Sequence, residues 1–144
     1  MKPVERQEIL DYVTWTEQRP EALPAILAAK KVRRIHVGGV LTFLFENHDT
    51  MRYQIQEMVR VEQMVKEADI QHEIDTYNEV LGDEGGFGCA LLIEIDDPEE
   101  RPRKLAAWLK LPEHLYLRFE DDSRAYATFD ERQVGDDRLS SVQI

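Results

Sequence analysis

FENHDTMRYQIQEMVRVEQMVKEADIQHEIDTYNEVL, residues 45–81, decides the fold because its apolar residues recur at helical spacing. On a helix of about 100° per residue, Met51, Ile55, Met58 and Val65 face within about 40° of one direction. Glu62 lies among them, so the pattern predicts a carboxylate near the centre of a buried face. A buried carboxylate needs a partner, which makes this segment the first place to look for function.

A second apolar series follows in the same segment, with a phase turned by about 100° from the first. It consists of Ile70, Ile74, Tyr77 and Leu81. One straight helix cannot direct both series at one core. We therefore predict a first helix from about Met51 to Lys66, capped by Asp49 or Thr50, and a kink or turn near residues 66–69. Asp69 would cap the second helix, which would stop at Gly82.

The residues before this segment predict two helices and a hairpin. We expect the helices at Glu5–Glu17 and from Pro20 to Lys31, with Pro24 tolerated in the first turn of the second. The pair Gly38-Gly39 separates two apolar runs. Glycine supplies the positive φ angles that a tight hairpin turn needs, so the pattern predicts a β-hairpin there.

The residues after it complete an α+β pattern. Phe87–Ile95 is almost continuously apolar, which favours a central strand, and Pro98 can start another helix. Alternating apolar residues on either side of 121–123 predict a second hairpin. We predict one α+β domain over residues 1–144, with an antiparallel or mixed sheet of about five strands and helices on at least one face. Residues 131–144 are either a weak edge strand or a disordered tail.

Composition limits the classes of function. The 144 residues carry a net charge of -11, which argues against nucleic acid or an anionic membrane as the main partner. The chain has one cysteine, Cys89, and no apolar run long enough to span a membrane. These features predict a protein of the reducing cytoplasm. Oligomeric state is not encoded in the pattern.

Polar residues of the central segment form the candidate site. Glu62 either pairs with Arg52, Arg60 or another basic residue, or it acts as a metal ligand or acid–base group. Gln54 and Glu57 flank it on the same helix. The full candidate set consists of Glu46, Gln54, Glu57, Arg60, Glu62, His72, Asp75 and Glu79.

Metal binding is one use of such a set. His72, Asp75 and Glu79 share one side of the predicted second helix, as they also would on an ordinary solvent face. A divalent metal would take Glu57, Glu62 and His72 as ligands. The Glu-x-x-His pair of di-iron proteins and the second histidine of a zincin helix are missing. One cysteine cannot hold a cysteine-ligated cluster.

Three motifs resemble a bacterial family known as domain of unknown function 3501. They are Phe-Glu-Asn-x-Asp-Thr at 45–50, Gln-Ile-Gln-Glu-Met at 54–58 and His-Glu-Ile-Asp-Thr-Tyr-Asn-Glu at 72–79. Members of this family tend to be encoded beside rubrerythrin-like and iron–sulfur proteins. The resemblance therefore implies a redox protein partner and a place in an oxidative-stress or electron-transfer pathway.

Two functions remain open from the sequence. The first, which we favour, is an accessory protein that binds a redox partner through its acidic surface and the helical pair. The second is a small enzyme or metal-binding protein that uses the inward carboxylate and histidine cluster. The second requires a concave pocket in which Glu62 meets at least two of Gln54, Glu57, Glu46 and His72.

Overall fold

The computed structural model describes residues 1–82, 84–129, 137–140 and the backbone of residues 142 and 143. The predicted α+β class is confirmed. The α-helices are α1 (Tyr12–Val32), α2 (His48–Val61), α3 (Glu67–Asn78) and α4 (Glu100–Ala107). The strands are β1 (Arg34–Val37), β2 (Leu41–Phe45), β3 (Cys89–Ile93), β4 (Tyr116–Arg118), β5 (Arg124–Tyr126) and β6 (Val142–Gln143). Short 3-10 helices cover Arg6–Glu8, Glu79–Leu81 and Leu111–His114.

The strands form two sheets. One has four strands in the order β1-β2-β3-β6, and the other is the β4–β5 hairpin. β3 has a neighbour on each side, as its apolar sequence predicted. β6 pairs antiparallel with β3. The prediction for the tail concerns residues 131–144, of which 131–136, 141 and 144 lie outside the described residues. The first hairpin turns on Gly38 and Gly39, at φ 62° and 79°.

The chain packs as two compact units. The first comprises Met1–Ile35 and Phe43–Ala90, and the second comprises His36–Thr42 and Leu91–Ile144. Buried apolar side chains of α2, α3, the 3-10 helix after α3 and the N-terminal segment form the core of the first unit; they are Val4, Ile9, Met51, Ile55, Val59, Ile70, Ile74 and Leu81. In the second unit, Leu91, Ile93, Ile95, Leu105 and Leu139 are buried.

The N-terminal segment differs from its prediction. Arg6–Glu8 is a 3-10 helix, and a single helix of 21 residues, α1, replaces the two predicted helices. Asp11 caps α1 by accepting hydrogen bonds from the backbone N–H groups of Val13 and Thr14. Pro20 and Pro24 both lie inside the helix. Proline disfavours the interior of a helix but does not exclude it. The predicted break before Pro20 was therefore wrong, because α1 continues through both prolines.

Two side-chain amides hold this N-terminal segment against the helices. Gln56 on α2 accepts a hydrogen bond from the Leu10 N–H and donates one to the Leu10 carbonyl, both at 2.8 Å. Asn78 on α3 does the same for Val4, at 2.8 and 2.9 Å. The two side chains therefore give hydrogen-bond partners to the backbone N–H and carbonyl groups of Leu10 and Val4, which would otherwise be unpaired.

The part of the chain that the structure describes contains no helix both long and apolar enough to cross a membrane.

Candidate functional site

Glu57 lies at the packing of α1 against α2, where five hydrogen bonds reach its carboxylate. Trp15 donates its indole N–H to Oε1 at 2.9 Å. Arg19 donates Nε–H to both oxygens at 2.9 and 3.0 Å. Arg60 donates from Nε at 3.2 Å and from Nη2 at 3.1 Å. The structure thus brings Glu57 and Arg60 of the candidate set together with two residues of α1.

These contacts decide what Glu57 can do. Burial raises the pKa of Glu57, but the hydrogen bonds from Arg60, Arg19 and Trp15 outweigh it and hold that pKa at about 2. Hydrogen bonding to the charged form favours ionisation. The carboxylate therefore stays charged and its oxygens are occupied, which suits a clamp between two helices better than a proton acceptor.

Glu62 is not an inward carboxylate, so that prediction was wrong. It is exposed and occupies the C-cap of α2, which ends at Val61 and not at Lys66. The start of α2 was also misplaced, because Asn47 caps it in a reciprocal capping box with Thr50. Glu62 was predicted on the core side by extending the helical spacing of α2, but the helix ends at Val61, one residue before it.

A Schellman motif ends α2. The Met64 N–H reaches the Val59 carbonyl at 3.0 Å and the Gln63 N–H reaches the Arg60 carbonyl at 3.3 Å. Gln63 takes the left-handed position, with φ 48°. Met64 packs against the core of the first unit. The predicted change of direction exists, but it comes at residues 62–66, and Lys66 rather than Asp69 precedes α3, without a side-chain cap.

The turn between α2 and α3 borders an open depression of about 470 Å³, which we call the α2–α3 depression. Its lining residues are Glu62, Gln63, Met64, Val65, Lys66, Asp69, His72 and Glu73. Glu62 and His72 of the candidate set therefore share one surface. Its lining contains three carboxylates against one lysine. Val65 is 74% exposed and the adjacent Val61 is 60% exposed.

The remaining candidates are dispersed. Glu46 is buried and one of its oxygens, Oε2, lacks a hydrogen-bond partner in the described part of the protein. Gln54 is half-buried on α2. Asp75 is exposed and accepts a hydrogen bond from Gln71 at 2.8 Å, and Glu79 is exposed after α3. Among the described residues, no three His, Cys, Asp or Glu side chains form a group that could hold a metal ion.

Cys89 begins β3 and is partly buried. Burial, and next the negative charge of Glu46, raise the pKa of the Cys89 thiol to about 11. A thiol with a raised pKa carries little thiolate, which is the nucleophilic form. This environment favours a packing role for Cys89 over a nucleophilic one.

A hydrogen-bonded row on the larger sheet was missed by the sequence reasoning. His36 Nδ1 lies 2.8 Å from the Thr42 hydroxyl, which in turn donates to Glu94. Because the single hydroxyl proton goes to Glu94, Thr42 accepts from His36, and this arrangement requires a proton on Nδ1. The tight turn at Gly38-Gly39, which makes residues 36 and 42 cross-strand neighbours, was the signal for this row.

Trp15 and Arg19, the α1 partners of Glu57, were also missed. Their contact with Glu57 joins residues that are 42 and 38 positions apart, and helical spacing within one segment holds no information about such a contact.

Comparison with known proteins gives a family and a solved relative. The family model described as "Protein of unknown function (DUF3501)" matches residues 3–144, which confirms the resemblance found in the motifs. A crystal structure of a protein of unknown function from Burkholderia pseudomallei K96243 is similar over 99% of this chain and 75% of its own, with 30% identity and a TM-score of 0.89. No curated protein matches the sequence significantly.

Proposed function

Because the chain belongs to the DUF3501 family, whose description assigns no activity, we propose its function from geometry: an accessory protein that docks a basic partner protein at the α2–α3 depression. This develops the first of the two functions considered from the sequence. The observation that carries it is the pair of exposed valines, Val61 and Val65, beside a rim of carboxylates.

The exposed valines give this surface apolar area that a partner could remove from water on binding. Val65 and Val61 expose most of their surface at a turn, although valine is among the residues most often found inside proteins. Protein interfaces commonly have an apolar centre that loses water on binding and a polar rim around it. The two valines can form such a centre.

The charged part selects the partner. Glu62, Asp69 and Glu73 line the depression, and Lys66 is the one lysine or arginine in its lining. The whole chain carries a net charge of -11. Complementary charge speeds encounter and suppresses wrong partners. The partner surface should therefore carry lysine or arginine around an apolar residue.

The turn that presents the valines is held in place. Gln63 takes a left-handed conformation that a non-glycine residue seldom adopts. Met64 packs against the core beneath it. A surface that keeps one shape before binding loses less conformational entropy when it binds.

The resemblance to the family also suggests which kind of protein the partner is. The family resemblance implies a redox protein, rubrerythrin-like or iron–sulfur, and hence a role in an oxidative-stress or electron-transfer pathway. A redox partner of this kind fits the proposal if it presents a basic patch with an apolar centre.

Cross-linking in the native cell followed by titration tests the proposal. The wild type is compared with Val61→Ser/Val65→Ser and with Glu62→Lys/Glu73→Lys. The controls are Val32→Ser, at a valine that is 84% exposed on α1, and Glu17→Lys/Glu21→Lys at two exposed α1 positions. We expect one protein to be lost with both site variants and kept with both controls.

The purified partner is then titrated against the wild type at several salt concentrations. Affinity should fall with salt, because the charged rim is exposed. The proposal fails if no captured protein depends on the site variants, or if the purified partner binds the variants and the wild type equally well.

A further inference from the structure

The β4–β5 hairpin of the second unit presents a surface of different character. All six of its strand residues are exposed. Tyr116 pairs with Tyr126, Leu117 with Ala125 and Arg118 with Arg124. A two-stranded hairpin is marginally stable alone in water, so a hairpin with solvent on its strand residues and aromatic side chains is a candidate for binding.

Alternation along the strands places four residues on one face of this hairpin. They are Tyr116, Arg118, Arg124 and Tyr126, which we call the Arg–Tyr face. The two tyrosine rings lie 5.4 Å apart, and the Arg124 guanidinium lies 4.5 Å from the centre of the Tyr116 ring. Tyrosine and arginine are the residue types enriched at the energetic centres of protein interfaces.

The two arginines of this face occupy a cross-strand pair. Arg118 and Arg124 are directly opposite each other on neighbouring strands, and like charges in that position destabilise a sheet. Asp122 lies 3.8 Å from Arg118, but both side chains are mostly exposed, at 86% and 67%. An ion pair of that kind contributes little. A bound carboxylate would relieve the repulsion.

We propose that the Arg–Tyr face binds an acidic segment of another protein, with carboxylates on Arg118 and Arg124 and apolar or planar groups on the two tyrosines. The guanidinium is suited to carboxylate because its N–H groups form a planar fork. This site is independent of the proposed function, because its residues are separate and its partner has the opposite charge.

Charge also decides against two other occupants. A symmetric pairing of two copies through this face would bring four arginines together, since each copy supplies Arg118 and Arg124. A nucleic-acid backbone binds where several cations line up along it, and the two arginines of this face are too few for that.

Fluorescence anisotropy with a labelled Glu-rich peptide tests the site in the full-length protein. The comparison peptide replaces every Glu by Gln. We expect the Glu peptide to bind more tightly, and Arg118→Gln/Arg124→Gln to weaken it by about tenfold. The variant Arg118→Lys/Arg124→Lys should restore part of the affinity, because it keeps the charge and loses the planar fork.

The matched control is Arg103→Gln/Arg138→Gln, which removes the same charge from two other exposed positions of the second unit. It should bind the Glu peptide nearly as the wild type does. Circular dichroism checks that each variant is folded.

Four results would overturn the proposal. The Glu and Gln peptides could bind alike, or the control could lose as much affinity as the hairpin variant. Duplex DNA could bind more tightly than the peptide and depend on the same arginines. Sedimentation without peptide could show self-association that Arg118→Gln/Arg124→Gln abolishes, in which case the occupant is a second copy of the chain.

Discussion

Gln56 pairs with Leu10 as a neighbouring β-strand would, by accepting from its N–H and donating to its carbonyl at 2.8 Å each. Gln56 is 3% exposed, so its own side of the pairing is buried, while Leu10 is half-buried. One amide side chain thus satisfies two backbone groups of a segment that lies outside any sheet.

Gln56→Ala should destabilise the protein by roughly 2–3 kcal/mol, because it leaves two part-buried backbone groups unpaired. Urea unfolding measures this change. Gln54→Ala, a half-buried position on the same helix, is the control and should change stability by less than about 0.5 kcal/mol. Equal losses for the two variants would contradict the role assigned to Gln56.

Glu57 should make the free energy of unfolding depend on pH in the acid range. Its pKa falls from the ordinary 4.5 to about 2 in the folded protein, so its contribution is fully present above about pH 4.5 and is lost as the pH falls towards 2. The full contribution is on the order of 3 kcal/mol. Urea midpoints measured across that window should fall less steeply with acid in Glu57→Gln.

Glu17→Gln is the control for this pH dependence, because Glu17 is exposed on α1. It should follow the wild-type profile. A Glu57→Gln profile that also coincides with that of the wild type would contradict the clamp.

Gln63→Gly should stabilise the protein by about 1 kcal/mol, because glycine takes the left-handed C′ position of a Schellman motif without a steric cost. Gln63→Val should destabilise it, since a β-branched residue fits φ 48° poorly. Thermal unfolding of the two variants gives the comparison. The opposite order of melting temperatures would contradict the assigned turn.

Gly88→Ala should cost about 3 kcal/mol or more, because a methyl group at Gly88 would overlap the Val80 carbonyl oxygen. Gly38→Asn is the control. Gly38 has open space around it and a φ of 62°, which asparagine tolerates. Denaturant unfolding of both variants measures the difference, and a Gly88→Ala protein as stable as Gly38→Asn would refute the close approach.

Cys89 should react slowly with iodoacetamide. Its pKa rises from 9.0 to about 11, so the thiolate fraction, and with it the rate near neutral pH, should be about a hundredfold lower than in the unfolded chain. Glu46→Gln should lower this pKa and speed the reaction, because it removes a nearby negative charge. A pH–rate profile measures both, and an unchanged profile in Glu46→Gln would contradict the electrostatic contribution.

Much of the fold follows from local patterns. The Gly38-Gly39 turn, the central β3 strand and the second hairpin depend on glycine conformation and on alternation, which are properties of short segments. The sequence pattern did not indicate that α1 continues through Pro20. The end of α2 could not be predicted from the sequence either. The residue in the left-handed position is Gln63, and glutamine has no special preference for that conformation.

The candidate site was predicted less well, for a related reason. Glu62 was assigned to the core by extending a helical phase past Val61, where the helix has already ended. Glu57 was named as a candidate site residue and metal ligand, and two of the partners that the structure gives it, Trp15 and Arg19, come from α1. Contacts between helices depend on packing that no single segment encodes.

The pairing of Asn78 with Val4 has a consequence for how the protein folds. The two residues are 74 positions apart, and contacts between distant residues form slowly because the intervening chain must first be ordered. During synthesis Val4 is made 74 residues before Asn78, its anchor on α3. The segment around Val4 should therefore be made early but be among the last parts of the first unit to become fixed.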